Sequence, residues 1–378
     1  MRWARVALFM LACAALLGCA GARRPLQDDV SIQTHSHRKK PAVAYQGSAF
    51  LMGYYAGVSQ ALLEAKPAVL VPGRTITGGL SGGAWSLISA HLGYSGEQLL
   101  KMWADLFTSQ KAKDLLQSAA AGGPGLVGHI NTLAVRELAG KLPDNPQHTL
   151  NGCMRVAISQ LDSTQLYTNN SASWIVDRWQ DRADVQATLL ATNYISCYSG
   201  PTVYTYFRNQ PVIDGGYSSG FKQLCPGGRL RDCIKAASYY VGSEKANTTC
   251  DTTRCSSGCG SHDRTNIITT LYQNGPYVDR WKLFEVVQRC PPTLWSDGPP
   301  YASPDFVPQA TATKLPDIYP GRYNDLPEWP PGSGRRLLAC EWQNFAMVPP
   351  TDRITEWLNV TYQQGYADAQ AWVRSKWG

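Results

Sequence analysis

A serine becomes a working nucleophile when a turn exposes it, a base removes its proton and nearby donors hold the oxyanion it creates. Gly79-Leu80-Ser81-Gly82-Gly83 meets the first of these conditions. The spacing is G-x-S-x-G, and glycines at two-residue distance on either side of Ser81 leave room for a turn too sharp for side chains. Upstream lie the apolar run 67–71 and then Arg74-Thr75-Ile76-Thr77, which leads directly into the glycines. Downstream Ala84, Leu87, Ile88 and His91 recur at helical spacing as far as Gly93, a natural C-cap. The expected order is strand, tight turn with Ser81 at its tip, then helix. That order presents the hydroxyl above a sheet and at a helix N-terminus.

Two kinds of base are open to Ser81. A histidine oriented by an acid is one, and the chain offers six. His35 and His37 fall in a polar stretch near the N-terminus, His129 and His148 precede the third expected strand, and His91 lies about three helical turns beyond Ser81. His262 alone follows the order Ser, Asp, His, but it sits among cysteines. The other kind is a carboxylate acting directly. Asp214 ends the apolar run Val212-Ile213 and is followed by Gly215-Gly216, a pattern that presents a carboxylate at a sheet edge.

The elements that must position these groups begin at Ala42-Val43-Ala44-Tyr45, the first expected strand. A loop through Gly47 then leads to a helix over 52–66 with Tyr55, Val58, Leu62 and Leu63 on its buried side. Two β-α units in such close succession predict a parallel sheet with a right-handed crossover. Residues 95–150 read as mainly helical with a break at 122–125, 155–159 as a strand, 177–191 as a helix and 202–207 as a strand. Residues 291–350 hold 13 of the 24 prolines and are expected to be irregular, and 354–377 reads as an aromatic-rich helix.

Composition narrows the compartment and the partners. Arg2 and Arg5, an uncharged run over 6–17 and the small residues Ala20-Gly21-Ala22 form a secretory signal. Leu16-Leu17-Gly18-Cys19 also has the outline of a lipobox, in which Cys19 would carry an anchor. No later stretch is long and apolar enough to span a bilayer. The net charge of +7 is concentrated at the N-terminus: residues 1–41 hold seven basic and two acidic residues, leaving 28 against 26 for the rest. Nothing there argues for a nucleic-acid partner. Asn169, Asn247 and Asn359 each begin a glycosylation sequon, in keeping with secretion.

Nine of the 11 cysteines follow the signal, and most fall between Cys197 and Cys290. An oxidising compartment makes them disulfides first, and the Cys225–Cys233 spacing suits a local loop. Cys250, Cys255, Cys259 and His262 have the residue types of a zinc site, but their spacing is irregular, so no metal is expected. The tryptophans and tyrosines over 295–342 fit either a lipid-contacting rim or ordinary packing.

Three blocks together resemble the patatin-like phospholipases, and within them the adiponutrin branch. They are Gly47 to Val58, similar to a glycine-rich oxyanion loop and first helix; Thr77 to Ala84, the nucleophile motif; and 187–216, which ends in Asp-Gly-Gly. Gly365-Tyr366-Ala367-Asp368-Ala369 is similar to a helix that follows that domain. The resemblance covers about 43–220. It implies a three-layer α/β/α fold with a largely parallel sheet and a Ser81–Asp214 dyad without histidine or cofactor. It also implies an oxyanion hole from the N–H groups of Gly47, Ser48, Ala49 and Gly82. Ala49 and Met52 stand where the family shows glycine, so a positive φ at either would strain the loop. The expected organisation is a signal peptide over 1–22, a linker over 23–41, a patatin-like core over 42–224, a Cys-rich insertion over 225–290, and a Pro/aromatic-rich segment with a C-terminal helix over 291–378.

The expected activity is hydrolysis of glycerolipid carboxylic esters at a membrane or lipid-droplet surface, with Leu51 and Met52 lining the acyl channel. A non-catalytic lipid-binding or storage protein and a Ser-Asp-His esterase using His262 are the competing readings.

Overall fold

The computed structural model describes residues 41–114, 133–134, 137, 140–161, 173–195, 199, 204–239, 316–337, 341–342, 345–346 and 350–377. The expected signal peptide, the lipobox-like cysteine, His35, His37, His129, His262, Asn169, Asn247 and the cysteines from 250 to 290 lie outside these residues. The described part belongs to one unit spanning Lys40–Gly378.

A mixed α/β architecture surrounds a seven-stranded, mostly parallel sheet. Its strands are β1 (Ala42–Tyr45), β2 (Thr77–Gly79), β3 (Met154–Gln160), β4 (Ser173–Val176), β5 (Thr205–Phe207), β6 (Gln210–Asp214) and β7 (Cys233–Ala236). The neighbours run β5-β6-β3-β2-β1-β7, with β4 also on β3. β7, β1, β2 and β3 are mutually parallel, whereas β4 and β6 run antiparallel to β3.

Alternation along the strands sorts the two faces by size. Val43, Tyr45, Met154, Val156 and Ile158 enter the main core on one face. Ala42, Ala44 and Ala157 face the other, where Leu224, Cys225 and Cys233 cover them. Large side chains therefore meet the helical layer. Small ones leave room for the chain over 221–233, closed by the Cys225–Cys233 disulfide. Among the described residues this loop, with one helical turn at Phe221–Leu224, is what covers that second face. Because β7 pairs with β1, the sheet continues past the expected core boundary at 224.

The helices on the main face are α1 (Met52–Glu64), α2 (Ser81–His91), α3 (Gly96–Thr108), α4 (Arg182–Thr192) and α5 (Ile354–Trp377). A capping box of Ser95 and Gln98 starts α3, and Leu99, Trp103, Leu106 and Phe107 form its buried stripe. α4 begins later than expected. Residues 173–176 are strand, and Asp181 caps the helix by accepting the Asp184 N–H at 2.8 Å. The run 67–71 is not the strand that enters the elbow. Val69 and Leu70 instead fold back on α1, both bonding the Leu62 carbonyl.

α5 lies against α1 almost backbone to backbone. A Cβ on Gly57 would fall 2.0 Å from the Tyr362 carbonyl oxygen, so only glycine permits this approach. Asp368 on α5 accepts hydrogen bonds from Tyr54 of α1 at 3.0 Å and from Asn324 at 2.7 Å. Trp329 and Trp342 pack with Trp357 inside the same core, so this pair of tryptophans serves packing rather than a rim. No described helix is long and apolar enough to cross a membrane.

Candidate active site

Register brings the site together. Three strands pair with β3, and two edges must accommodate them. Val156 pairs with both Gly79 of β2 and Val176 of β4, and Ile158 pairs with both Asp214 of β6 and Trp174 of β4. Therefore β2 and β6 share one edge, and β6 takes over where β2 ends. Asp214 sits two residues farther along β3 than Gly79, at the level that Ser81 reaches as the chain leaves β2. Ser81 and Asp214 are brought together with no strand between them.

Ser81 has φ +52°, a left-handed conformation for which a non-glycine residue is strained by about 1–2 kcal/mol. It opens α2 and is 4% exposed. The Ser81 N–H donates to Thr192 Oγ1 at 3.0 Å, and that hydroxyl donates in turn to the Ala157 carbonyl at 2.7 Å. Thr192 thus pins the turn to β3. Ser81 Oγ is 3.4 Å from Asn193 Oδ1, at the limit of a hydrogen bond, so the hydroxyl is not committed to it.

Asp214 is fully buried. Its Oδ1 accepts the Gly216 N–H at 2.7 Å, while Oδ2 has no hydrogen-bond partner among the described residues. Burial pushes the carboxyl up to about 7, against the weaker opposing pull of the Gly216 N–H and of the Ser81 hydroxyl beside it. A group poised there can take up and return a proton near neutrality.

The loop before α1 closes the other side. A Cβ on Gly47 would lie 3.3 Å from Ser81 Cβ, and one on Gly82 would lie 1.9 Å from Ser48 Oγ. A side chain at 82 would have to displace the Ser48 hydroxyl. Gly79 and Gly83 are required more strictly, because a Cβ there would meet the Ala84 backbone and the Gln46 carbonyl, as one at Gly215 would meet the Ala157 carbonyl. The N–H groups of Gly47, Ser48, Ala49 and Gly82 make no hydrogen bond among the described residues. Ala49 has φ +44°, whereas Met52 has an ordinary helical φ of −60°. The strain anticipated for the loop falls on Ala49 alone.

Leu51 and Met52 are buried with Phe50 in the main core cluster, where Phe50 packs on Phe107 at 5.6 Å. Asn359 is exposed on α5. His148 is exposed in a single helical turn at Gln147–Leu150.

His91 lies at the far end of α2 and does another job. Its Nδ1 accepts the Gly73 N–H at 3.0 Å, so Nε2 carries the proton and bonds Thr77 Oγ1 at 2.8 Å. Burial pulls its pKa down to about 4, which keeps the ring neutral. It fastens the start of β2 rather than serving Ser81.

Thr192 and Asn193 were not anticipated from sequence. The signal open to inspection was a pair of short polar residues directly after the apolar run Leu189-Leu190-Ala191. Among the described residues no three His, Cys, Asp or Glu side chains are grouped to hold a metal ion. Compared with known proteins, the chain matches no family model and no curated protein sequence.

Proposed function

We propose that this chain is a serine carboxylic-ester hydrolase of patatin-like α/β/α fold that cleaves glycerolipid esters through a Ser81–Asp214 dyad. The observation that carries this reading is the pairing of a left-handed serine at a helix N-terminus with a buried carboxylate that keeps one oxygen unpartnered. Asp214 Oδ2 accepts the Ser81 proton as Oγ attacks the ester carbonyl. The free N–H groups at Gly47, Ser48, Ala49 and Gly82, with the α2 N-terminus, hold the oxyanion. The alcohol departs with the proton from Asp214, leaving an acyl-serine, and water activated by the same carboxylate releases the acid. No cofactor enters this scheme. The lipid identity of the ester rests on the resemblance of the three sequence blocks, as do secretion and action at a membrane or lipid-droplet surface.

The test is hydrolysis of p-nitrophenyl butyrate by the mature chain, with and without Ser81→Ala. A fluorophosphonate that labels the wild type at Ser81 but not the variant is the expected companion result. Equal hydrolysis by both proteins overturns the reading.

A further inference from the structure

Among the described residues two buried polar atoms near the site lack partners, and the dyad uses only one of them. Asp214 Oδ2 is the first; the hydroxyl of Tyr239 is the second. An orphaned buried hydroxyl costs about 1–3 kcal/mol, so it invites a ligand oxygen. Tyr239 is 6% exposed and belongs to the main core, three residues past the end of β7.

Its placement follows from the sheet. Tyr45 pairs with both Gly79 and Ala236, so the chain beyond β1, β2 and β7 reaches one level at Gly47, Ser81 and Ser238. Ser238 is tied to that level on two sides. Its Oγ donates to the Gly47 carbonyl at 3.1 Å, and its N–H donates to Tyr55 Oη at 3.1 Å. Tyr55 Oη in turn donates to the Ala236 carbonyl at 3.1 Å, and Trp342 Nε1 bonds the Ser238 carbonyl at 2.8 Å. Ser238, the residue before Tyr239, is thus held beside the loop at Gly47, about 10 Å or two strand spacings from the line of Ser81. A phenol spans much of such a gap. The Asp214 charge is felt at Tyr239, where it adds to burial in keeping the phenol protonated.

We propose that Tyr239 is a third polar group of this site, donating a hydrogen bond to the alcohol oxygen of the bound ester as the acyl–oxygen bond breaks. The inference rests on the ester-hydrolase reading and extends it to the leaving group. In the step concerned, the Ser81 Oγ–acyl bond has formed and the acyl–alcohol bond breaks. The proton taken from Ser81 passes from Asp214 to the departing oxygen. Tyr239 keeps its own proton throughout and only stabilises the charge developing on that oxygen. The reaction is therefore balanced without any further reactant. Such a donor matters most where the alcohol is a poor leaving group, as in an alkyl or glyceryl ester.

Leaving-group dependence tests it. Tyr239→Phe should lower kcat on ethyl and glyceryl butyrate on the order of ten- to a hundredfold, in the range for a lost transition-state donor. The fall on p-nitrophenyl butyrate should be much smaller, because nitrophenolate needs no help, and KM should change little. Labelling by a fluorophosphonate and an unchanged or raised Tm show that the variant folds. Equal losses on all esters, or no loss on the alkyl esters, overturn the proposal. If the variant does not fold, the wild type decides: assistance predicts a rate that varies weakly with alcohol pKa, and a steep dependence refutes it. Ser81-dependent cleavage of p-nitrophenyl butyrate in the same series reports the ester-hydrolase reading separately.

Discussion

Replacing Asp214 by Asn should abolish activity and at the same time stabilise the protein. The carboxyl ordinarily titrates at 3.8 and is raised to about 7 by burial. A group raised in the folded state contributes its stability fully below pH 3.8 and loses it as pH rises through 7. At neutral pH and above, ionised Asp214 therefore destabilises the fold by about 4 kcal/mol, three units at roughly 1.4 kcal/mol each. Asn cannot ionise. Its Oδ1 keeps the Gly216 N–H, and its amide places a donor where Oδ2 has no partner, within the surroundings of Ser81 Oγ. The Tm of Asp214→Asn should exceed that of the wild type by several degrees at pH 8, and the gap should close as pH falls to 4. Denaturant midpoints at the two pH values should show the same trend. Ester turnover should meanwhile fall by about three orders of magnitude or more. A variant no more stable than the wild type at pH 8 would refute a buried, poised carboxylate, whatever happened to its activity.

Ala49→Gly should raise stability by about 1 kcal/mol, because φ +44° is strained for alanine and not for glycine; a lower Tm would mean the loop is not held in that conformation. Reducing the Cys225–Cys233 bridge, or replacing both residues by Ser, should lower stability by about 2–3 kcal/mol and free the loop on the second face before the helical face; limited proteolysis that cuts both faces together would contradict this. His91, with its pKa lowered from 6.5 to about 4, contributes stability above pH 6.5 that is lost as pH falls through 4. The deficit of His91→Gln should therefore be largest at pH 7 and shrink by about 3 kcal/mol at pH 4, a difference that paired Tm measurements read directly.

Much of this could be read from local pattern because local physics decides it. Gly79, Gly83 and Gly215 are fixed by backbone contact, so the glycine spacing announces the turn whatever surrounds it. The C-terminal helix was legible over its full length for a similar reason: no proline or glycine pair interrupts 354–377. Failures came where tertiary pairing overrode pattern. Residues 173–176 carry no alternation that marks them as a strand, yet β3 offers a free edge and takes them. The run 67–71 is apolar enough for a strand, but its polar backbone is satisfied by α1 instead. β7 was hidden because its cysteine suggested a disulfide loop and its lysine a surface, whereas all four of its residues are buried. Thr192, Asn193 and Tyr239 reach the site only through the register of distant strands, which no spacing in sequence reports.

The site combines three locally unfavourable features: two non-glycine residues at positive φ and a buried carboxylate. Each persists only where the surroundings over-determine it. Ser81 is fixed by Thr192, which ties it to β3. Ala49 is fixed because the Ser48 carbonyl accepts the Leu51 N–H at 2.8 Å while Ser238 holds Gly47 from the opposite side. Behind it α1 cannot shift, since the missing side chains at Gly53 and Gly57 bring it against the α5 backbone, and Asp368 bonds Tyr54. The C-terminal helix lies more than 270 residues from Ser81 in sequence, yet it braces the helix that carries the loop facing that serine. Strain at Ser81 and Ala49 is thereby balanced by packing on the far side of α1. A change that loosens α5 should weaken the loop before it unfolds the sheet.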